Sequence, residues 1–139
     1  MKNSNRILTS LLFLSFAFTG CYKGDLSSTT EEIISSGKWV VNYYYDTQDL
    51  TGAYGNYRFV FNTDGTVTCT KNDVISAGSW KKSTDANMQE YLSIEFITND
   101  VNIAKLSEHW KVVGKTSHEL EFSNTNSTTV SQLHIAQLY

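Results

Sequence analysis

The chain has 139 residues and a formal net charge of −3, and its length fits a single folded domain. Its 11 basic residues do not outnumber its 14 acidic residues, so nothing in the composition supports nucleic-acid binding through phosphate contacts. Aromatic residues make up 13% of the chain and charged residues 18%, a balance typical of folded proteins and not of disordered ones. Two cysteines are too few for a disulfide-rich scaffold.

The N-terminal segment has the features of a bacterial lipoprotein signal. Basic residues precede a mostly apolar stretch, Ile7–Phe18, which is too short to cross a bilayer as a helix. The sequence FTGC at positions 18–21 resembles the sites where such signals are cut before a cysteine that is then lipidated. The resemblance implies a signal peptide over residues 1–20 and an acyl anchor, such as palmitate, on Cys21. The alternative is an ordinary secretory signal followed by an incidental cysteine.

The residue after Cys21 is Tyr22 and not Asp. By resemblance to Gram-negative lipoproteins, this predicts the outer membrane, with the periplasmic and cell-surface sides both left open. Several acyl chains on one cysteine hold a protein durably to a membrane. No other apolar run approaches the 18 residues of a membrane-spanning helix, so we expect a lipid-anchored chain.

Residues 21–36 are rich in Ser and Thr, and we interpret them as a flexible tether. Within it, Ser28 to Glu31 and Thr29 to Glu32 both have the spacing of a helix capping box. Two isoleucines follow at positions 33–34. This order predicts one helical turn that packs both isoleucines against the domain.

From Gly37 onward, apolar and polar residues alternate, which is the pattern of β-strands. The alternation predicts eight strands: Trp39–Tyr45, Tyr57–Asn62, Thr66–Lys71, Ser76–Lys82, Tyr91–Ile97, Trp110–Lys115, Glu119–Ser123 and Val130–Gln137. In the first strand, the pattern predicts one face made by Trp39, Val41, Tyr43 and Tyr45. Residues 100–109 do not alternate and predict one short helical insertion.

Short turns between consecutive strands predict an antiparallel meander over residues 37–139. The second and third strands are joined through Asp64-Gly65, a strong hairpin signal because glycine accepts a positive φ. Eight strands can close into an all-β, up-and-down barrel, whose interior is either filled or just wide enough for one small ligand. An open sandwich is the alternative, and the choice depends on whether the eighth strand pairs with the first.

The Gly37-Lys38-Trp39 sequence at the start of the first strand resembles the Gly-x-Trp signature of the lipocalins, and a second copy begins at Gly78. The resemblance spans Gly37–Tyr139. This region is similar to the lipocalin-like domains found in small bacterial lipoproteins. It implies a barrel whose closed base contains Gly37 and Trp39. The typical Thr-Asp-Tyr loop motif is absent, and no basic residue follows Lys115 to cover the tryptophan.

No catalytic or metal-ligating motif is evident. His109, His118 and His134 lack the spacing of a zinc site, so we interpret them as structural or surface residues. Cys69 has no evident base as a partner, which predicts a buried, inert thiol. Glu119 and Glu121 alternate with apolar residues and should face water. We therefore expect no enzyme activity, no cofactor and no bound metal.

The aromatic residues allow two interpretations, a packed core or an apolar pocket with a few hydroxyl groups. The loop 46–56 is long for a hairpin and is the expected mouth. The candidate ligand-binding residues are Tyr43, Tyr45, Tyr57, Phe59, Trp80 and Trp110. By fold analogy, we expect a monomeric, membrane-anchored protein that binds a small apolar or amphipathic ligand. The alternative is a non-catalytic module that contacts an envelope protein or glycan through its loops.

Overall fold

The computed structural model describes residues 28–124 and 130–139, so the predicted signal peptide and Cys21 lie outside the described residues. The strands are β1 Lys38–Asp46, β2 Gln48–Asp49, β3 Tyr57–Phe61, β4 Thr66–Lys71, β5 Val74–Thr84, β6 Glu90–Phe96, β7 His109–Lys115, β8 Glu119–Asn124 and β9 Ser131–Leu138. The helices are α1 Thr30–Ile34, a 3-10 helix Thr51–Tyr54 and α2 Val101–Lys105. Over these ranges, no helix is long and apolar enough to cross a membrane.

The strands form one closed antiparallel barrel. Each strand from β3 to β8 pairs with the next along the chain, and β1 pairs with both β3 and β9. The closing pair runs from Lys38 opposite Leu138 to Tyr45 opposite Gln132. The two-residue β2 pairs with the end of β1 alone, so eight strands make the wall. The predicted up-and-down barrel is confirmed, and the open sandwich is excluded.

The predicted face of the first strand is wrong beyond Val41. The pairing of β1 with β9 shifts register between Val41 and Tyr43, which is a β-bulge at Asn42. A bulge inserts one extra residue and reverses the inward and outward positions that follow it. Tyr44 therefore points into the barrel, where 2% of its surface is exposed. Tyr43 and Tyr45 lie on the outer wall, opposite the outward residues of β9.

Helix α1 closes the base of the barrel, the end where β1 begins and β9 ends. Of the two predicted capping boxes, the one between Thr29 and Glu32 forms. Ile33 and Ile34 are buried, as predicted. The fully buried Trp39 packs at this end, and its indole Nε1 donates to the Ile34 carbonyl at 2.7 Å. The Ile34 carbonyl is therefore the polar partner of the Trp39 indole. The chain has no basic residue after Lys115 that could cover this tryptophan.

Gly37 has a steric role at this base. A Cβ atom at Gly37 would collide with the side-chain amide of Gln137 near the end of β9. That amide donates to the carbonyl and the hydroxyl of Ser36, at 3.3 and 3.2 Å. Glycine therefore leaves room for a bridge between the last strand and the α1–β1 connection.

A carboxylate with three partners ties α1 to the wall. Glu90, the first residue of β6, accepts a hydrogen bond from the Thr30 hydroxyl at 2.7 Å. It also forms ion pairs with Lys115 at 2.8 Å and Lys82 at 3.2 Å. Burial acts to raise the pKa of Glu90, but the hydrogen bonds from Lys115, Thr30 and Lys82 outweigh it and lower the pKa to about 2.

The lowered pKa of Glu90 predicts a specific pH dependence of stability. A carboxyl group whose pKa is lower in the folded state stabilises the fold above its ordinary pKa of 4.5, and this contribution is lost as the pH falls towards about 2. We expect Glu90→Gln to be less stable than the wild type at neutral pH and the difference to shrink on acidification. Urea unfolding at several pH values, followed by tryptophan fluorescence, measures it. Glu95→Gln, on an exposed face of the same strand, is the control. Parallel pH profiles for the wild type and Glu90→Gln would contradict this role.

Candidate functional site

In the part of the chain that the structure describes, apolar side chains fill the interior of the barrel. A cavity inside it has a volume of about 10 Å³. Its lining residues are Val41, Phe59, Phe61, Ile94, Phe96, Leu106, Leu133 and Ile135. That volume is about what a single water molecule requires, whereas pockets for small molecules usually have about 300–1,000 Å³. A ligand inside the barrel would therefore have to displace core side chains.

Four of the predicted ligand-binding residues point inward and two do not. Tyr57, Phe59, Trp80 and Trp110 are all buried. Tyr57 stacks on Phe59 with ring centroids 6.5 Å apart, and the Trp80 indole donates to the carbonyl of Asn62 at 2.9 Å. Trp110 donates to a backbone carbonyl and packs edge-on against a tyrosine. Of the six candidates, Phe59 lines the small cavity. The structure thus distributes them through the core and along the outer wall.

The end of the barrel opposite α1 is closed as well, and we call it the capped end: the end covered by α2 and by the 3-10 helix. The 3-10 helix lies in the loop that was expected to form a mouth, and it carries Tyr54 into the barrel with 1% of its surface exposed. The Tyr54 hydroxyl donates to the Asn102 carbonyl of α2 at 2.9 Å. Its ring contacts Tyr44 and Tyr57, at centroid distances of 5.2 and 5.5 Å. The predicted mouth is therefore a plug.

A polar cluster fastens α2 to the wall at this end. The Tyr57 hydroxyl donates to the Asp100 carboxylate at 2.8 Å, and Lys71 Nζ donates to the Tyr57 hydroxyl at 2.6 Å. Lys71 also forms an ion pair with Asp100 at 3.1 Å. Asp100 is the N-cap of α2 and accepts from the backbone N–H groups of Asn102 and Ile103. One carboxylate therefore both starts the helix and holds it to β3 and β4.

The charges of this cluster are fixed near neutral pH. Burial acts to raise the pKa of Asp100, but hydrogen bonds from Tyr57, Ile103, Lys71 and Asn102 lower it overall. The pKa of Lys71 is raised by its hydrogen bonds to Tyr57 and Asp100. Both groups remain charged, so neither is suited to exchange protons with a substrate around neutral pH. We therefore interpret the cluster as a structural link between α2 and strands β3 and β4.

Cys69 lies in β4 and is buried, as predicted. Burial, with a smaller contribution from the charge of Asp100, raises the pKa of its thiol to about 12. The thiol is therefore protonated at neutral pH, and a protonated thiol is a poor nucleophile. This chemistry agrees with an inert core residue.

A surface cleft opens beside the polar cluster, with a volume of about 420 Å³. It is lined by Lys71, Asn72, Val74, Ser76, Thr98, Asn99, Asp100 and Ile103. The β4–β5 turn forms one side, where Asn72 and Asp73 both have positive φ, as a tight hairpin turn requires. The cleft has no signal in the sequence, because residues about thirty positions apart line it together.

Exposed aliphatic side chains lie on the chain segments that form the cleft. We call four of them the capped-end patch: Val74, Ile75, Ile97 and Val101. Each is a lining residue of the cleft or a chain neighbour of one. Between 67% and 93% of the surface of each residue is exposed. Apolar groups that cluster on a surface in this way often mark a contact with another molecule.

The three histidines lie apart from one another on the outside of the barrel. His109 stacks on Tyr91 with a centroid distance of 4.9 Å, and the Nδ1 atom of His118 is 2.9 Å from the side-chain oxygen of Gln137. His134 packs against the ring of Tyr43 at 5.0 Å. Its other neighbours are two glutamates of β8, a grouping that the sequence analysis did not predict.

Comparisons with known proteins identify the architecture but not the family. No protein-family model and no curated protein matches the sequence. A solved structure is similar, that of a DUF4847 family protein from Bacteroides vulgatus, with a TM-score of 0.58 and 17% identity. The match covers 79% of this chain and 98% of the other. At 17% identity the similarity concerns the fold alone. It supports the antiparallel barrel that the strand topology shows.

Proposed function

We propose that this chain is a lipid-anchored, non-catalytic interaction module of the Gram-negative outer membrane, and that it contacts a protein partner through its capped end. The observation that carries the proposal is the distribution of apolar groups. The barrel interior is filled, with a cavity of about 10 Å³, whereas the capped-end patch remains open to water beside a cleft of about 420 Å³.

The position of α1 supports this orientation. The helix begins at Thr30, only a few residues after the proposed anchor at Cys21, and it packs at the base of the barrel. The capped end lies at the opposite ends of the same strands. A barrel anchored through Cys21 is therefore attached at its base, the end opposite the capped end.

The chemistry of the surface favours a protein over a glycan. The patch consists of aliphatic side chains, whose transfer from water to another apolar surface is favourable. The adjoining cleft supplies charged and amide groups from Lys71, Asp100, Asn72 and Asn99, which can orient a polar partner at the rim. Protein interfaces usually combine apolar and polar side chains in this way.

Photo-cross-linking in intact cells tests the contact. With benzoylphenylalanine in place of Ile97, which is 93% exposed, we expect a discrete adduct that withstands enzymatic removal of glycans. The same probe at Met88, 81% exposed in the β5–β6 loop near the base, is the matched control and should give none. Equal adducts from the two positions, or none from either, would overturn the proposal. An adduct lost with the glycans would instead identify a glycan partner.

Metabolic labelling tests the anchor separately. Cells supplied with an alkyne-tagged palmitate should label the wild-type chain and a Cys69→Ala variant, because Cys69 is buried in the barrel. The Cys21→Ser variant should carry no label, since it lacks the residue to be acylated. Label retained by Cys21→Ser, or absent from the wild type, would show that Cys21 is not the anchor.

Binding of a small apolar ligand inside the barrel is the second candidate function. In its favour, the cavity is lined by apolar side chains and lies beneath Leu106, which follows α2, so displacement of α2 would enlarge it. Against it, α2 is fixed by the hydrogen bonds of Asp100 and Tyr54.

Native mass spectrometry of the full chain, purified in detergent from its own host, separates the two functions. We expect the folded chain to carry no mass beyond that of the lipidated polypeptide, because the interior is filled. A denatured sample is the control. A reproducible extra mass that is lost on denaturation would favour the ligand-binding function.

A further inference from the structure

The outer wall of the barrel brings together three side chains that can coordinate a metal ion. Glu119 and Glu121 are two positions apart in β8, and both point outward because the residue between them, Leu120, is fully buried. His134 of β9 lies directly opposite Glu121 in the strand register, on the same outer face. One ligand atom from each of the three residues lies within 4.8 Å of the other two.

Neighbouring residues orient these side chains. The side-chain amide of Asn42, at the β1 bulge, donates to one carboxylate oxygen of Glu119 at 2.8 Å. The ring of Tyr43 packs on His134 at 5.0 Å. Glu121 lies over Gly114 of β7. A Cβ atom at Gly114 would be 2.7 Å from Oε2 of Glu121. Groups that hold metal ligands in place from behind often determine both the geometry and the affinity of a site.

Among the described residues, no ion pair balances the charge of this cluster. Within residues 28–124 and 130–139, the ion pairs involve Glu90, Asp100 and Asp46, and none involves Glu119 or Glu121. Two carboxylates this close repel each other, and a divalent cation between them relieves that repulsion. The imidazole adds a nitrogen ligand, which hard cations such as Mg²⁺ and Ca²⁺ do not prefer.

We propose that Glu119, Glu121 and His134 form a binding site for a divalent first-row transition-metal ion, for which Zn²⁺ is the probe. Zinc takes nitrogen and oxygen ligands at about 2.0–2.2 Å, which places tetrahedral donors about 3.4 Å apart. The three ligand atoms are already within 4.8 Å of one another, so side-chain rotations of half-buried residues suffice to close the site. Three protein ligands leave a fourth position for water or for a donor from another molecule.

Calorimetric titration of the full chain with Zn²⁺ tests the site, using detergent-solubilised protein with a histidine-free purification tag. We expect one equivalent to bind, and His134→Ala and Glu121→Gln each to weaken binding at least about tenfold. His109→Ala is the matched control, because His109 lies on the same outer surface but pairs with Ser93 and Tyr91 instead. It should bind as the wild type does.

A second measurement keeps the test independent of folding defects. Because metal that binds the folded state stabilises it, Zn²⁺ should raise the melting temperature of the wild type and of His109→Ala, but not that of His134→Ala. The isosteric Glu121→Gln variant, with a circular dichroism spectrum like that of the wild type, serves where His134→Ala is destabilised. Absence of Zn²⁺ binding up to about 1 mM, an affinity too weak for a dedicated site, would overturn the proposal. Binding that both ligand variants retain unchanged would overturn it as well.

Discussion

The pairing of β1 with β9 closes the barrel, and the bulge within that pairing determines what both sides of the wall present. Because the bulge at Asn42 adds one residue, Tyr44 turns inward and Tyr43 turns outward. Inside, Tyr44 packs against Tyr54 and Trp110 and helps to fill the capped end. Outside, Tyr43 lies against the ring of His134. One irregularity thus links the filled core to the grouping on the outer wall.

The two ends of the barrel are closed by similar chemistry, and a carboxylate with several partners takes part in each closure. At the base, Glu90 joins α1 to β5 and β7 through Thr30 and two lysines. At the capped end, Asp100 joins α2 to β3 and β4 through Tyr57 and Lys71. Both carboxylates accept several hydrogen bonds, so burying part of their charge is compensated. Hydrogen bonds and ion pairs therefore fasten a helix to the wall at both ends of the barrel.

Local patterns in the sequence were sufficient to predict the wall. Alternation located every strand that forms the barrel, and the capping-box spacing of Thr29 and Glu32 predicted α1. The bulge was missed because three consecutive tyrosines, residues 43–45, satisfy either register equally well. An alternating pattern of inward and outward residues does not show where one extra residue has been inserted. The inward face was therefore right up to Val41 and wrong beyond it.

The features with functional potential could not be predicted because they arise between strands. Lys71 and Asp100 are 29 positions apart, and Glu121 meets His134 through the β8–β9 register. Neither pair has a spacing that sequence periodicity can reveal. The packed core and the apolar pocket likewise share one sequence pattern, since both require aromatic residues on the inward face. The burial of Tyr44, Tyr54 and Trp110 inside the barrel distinguishes the packed core from the pocket.

The proposed contact at the capped end would involve elements whose positions are fixed by hydrogen bonds. The elements around the cleft are held by Asp100 and by the plug residue Tyr54. The β4–β5 hairpin is held by a tight turn at Asn72 and Asp73. A partner that covers the patch therefore has little chain to order, and loss of conformational freedom is one of the main costs of association. Preorganisation of this kind allows a small apolar surface to support a specific contact.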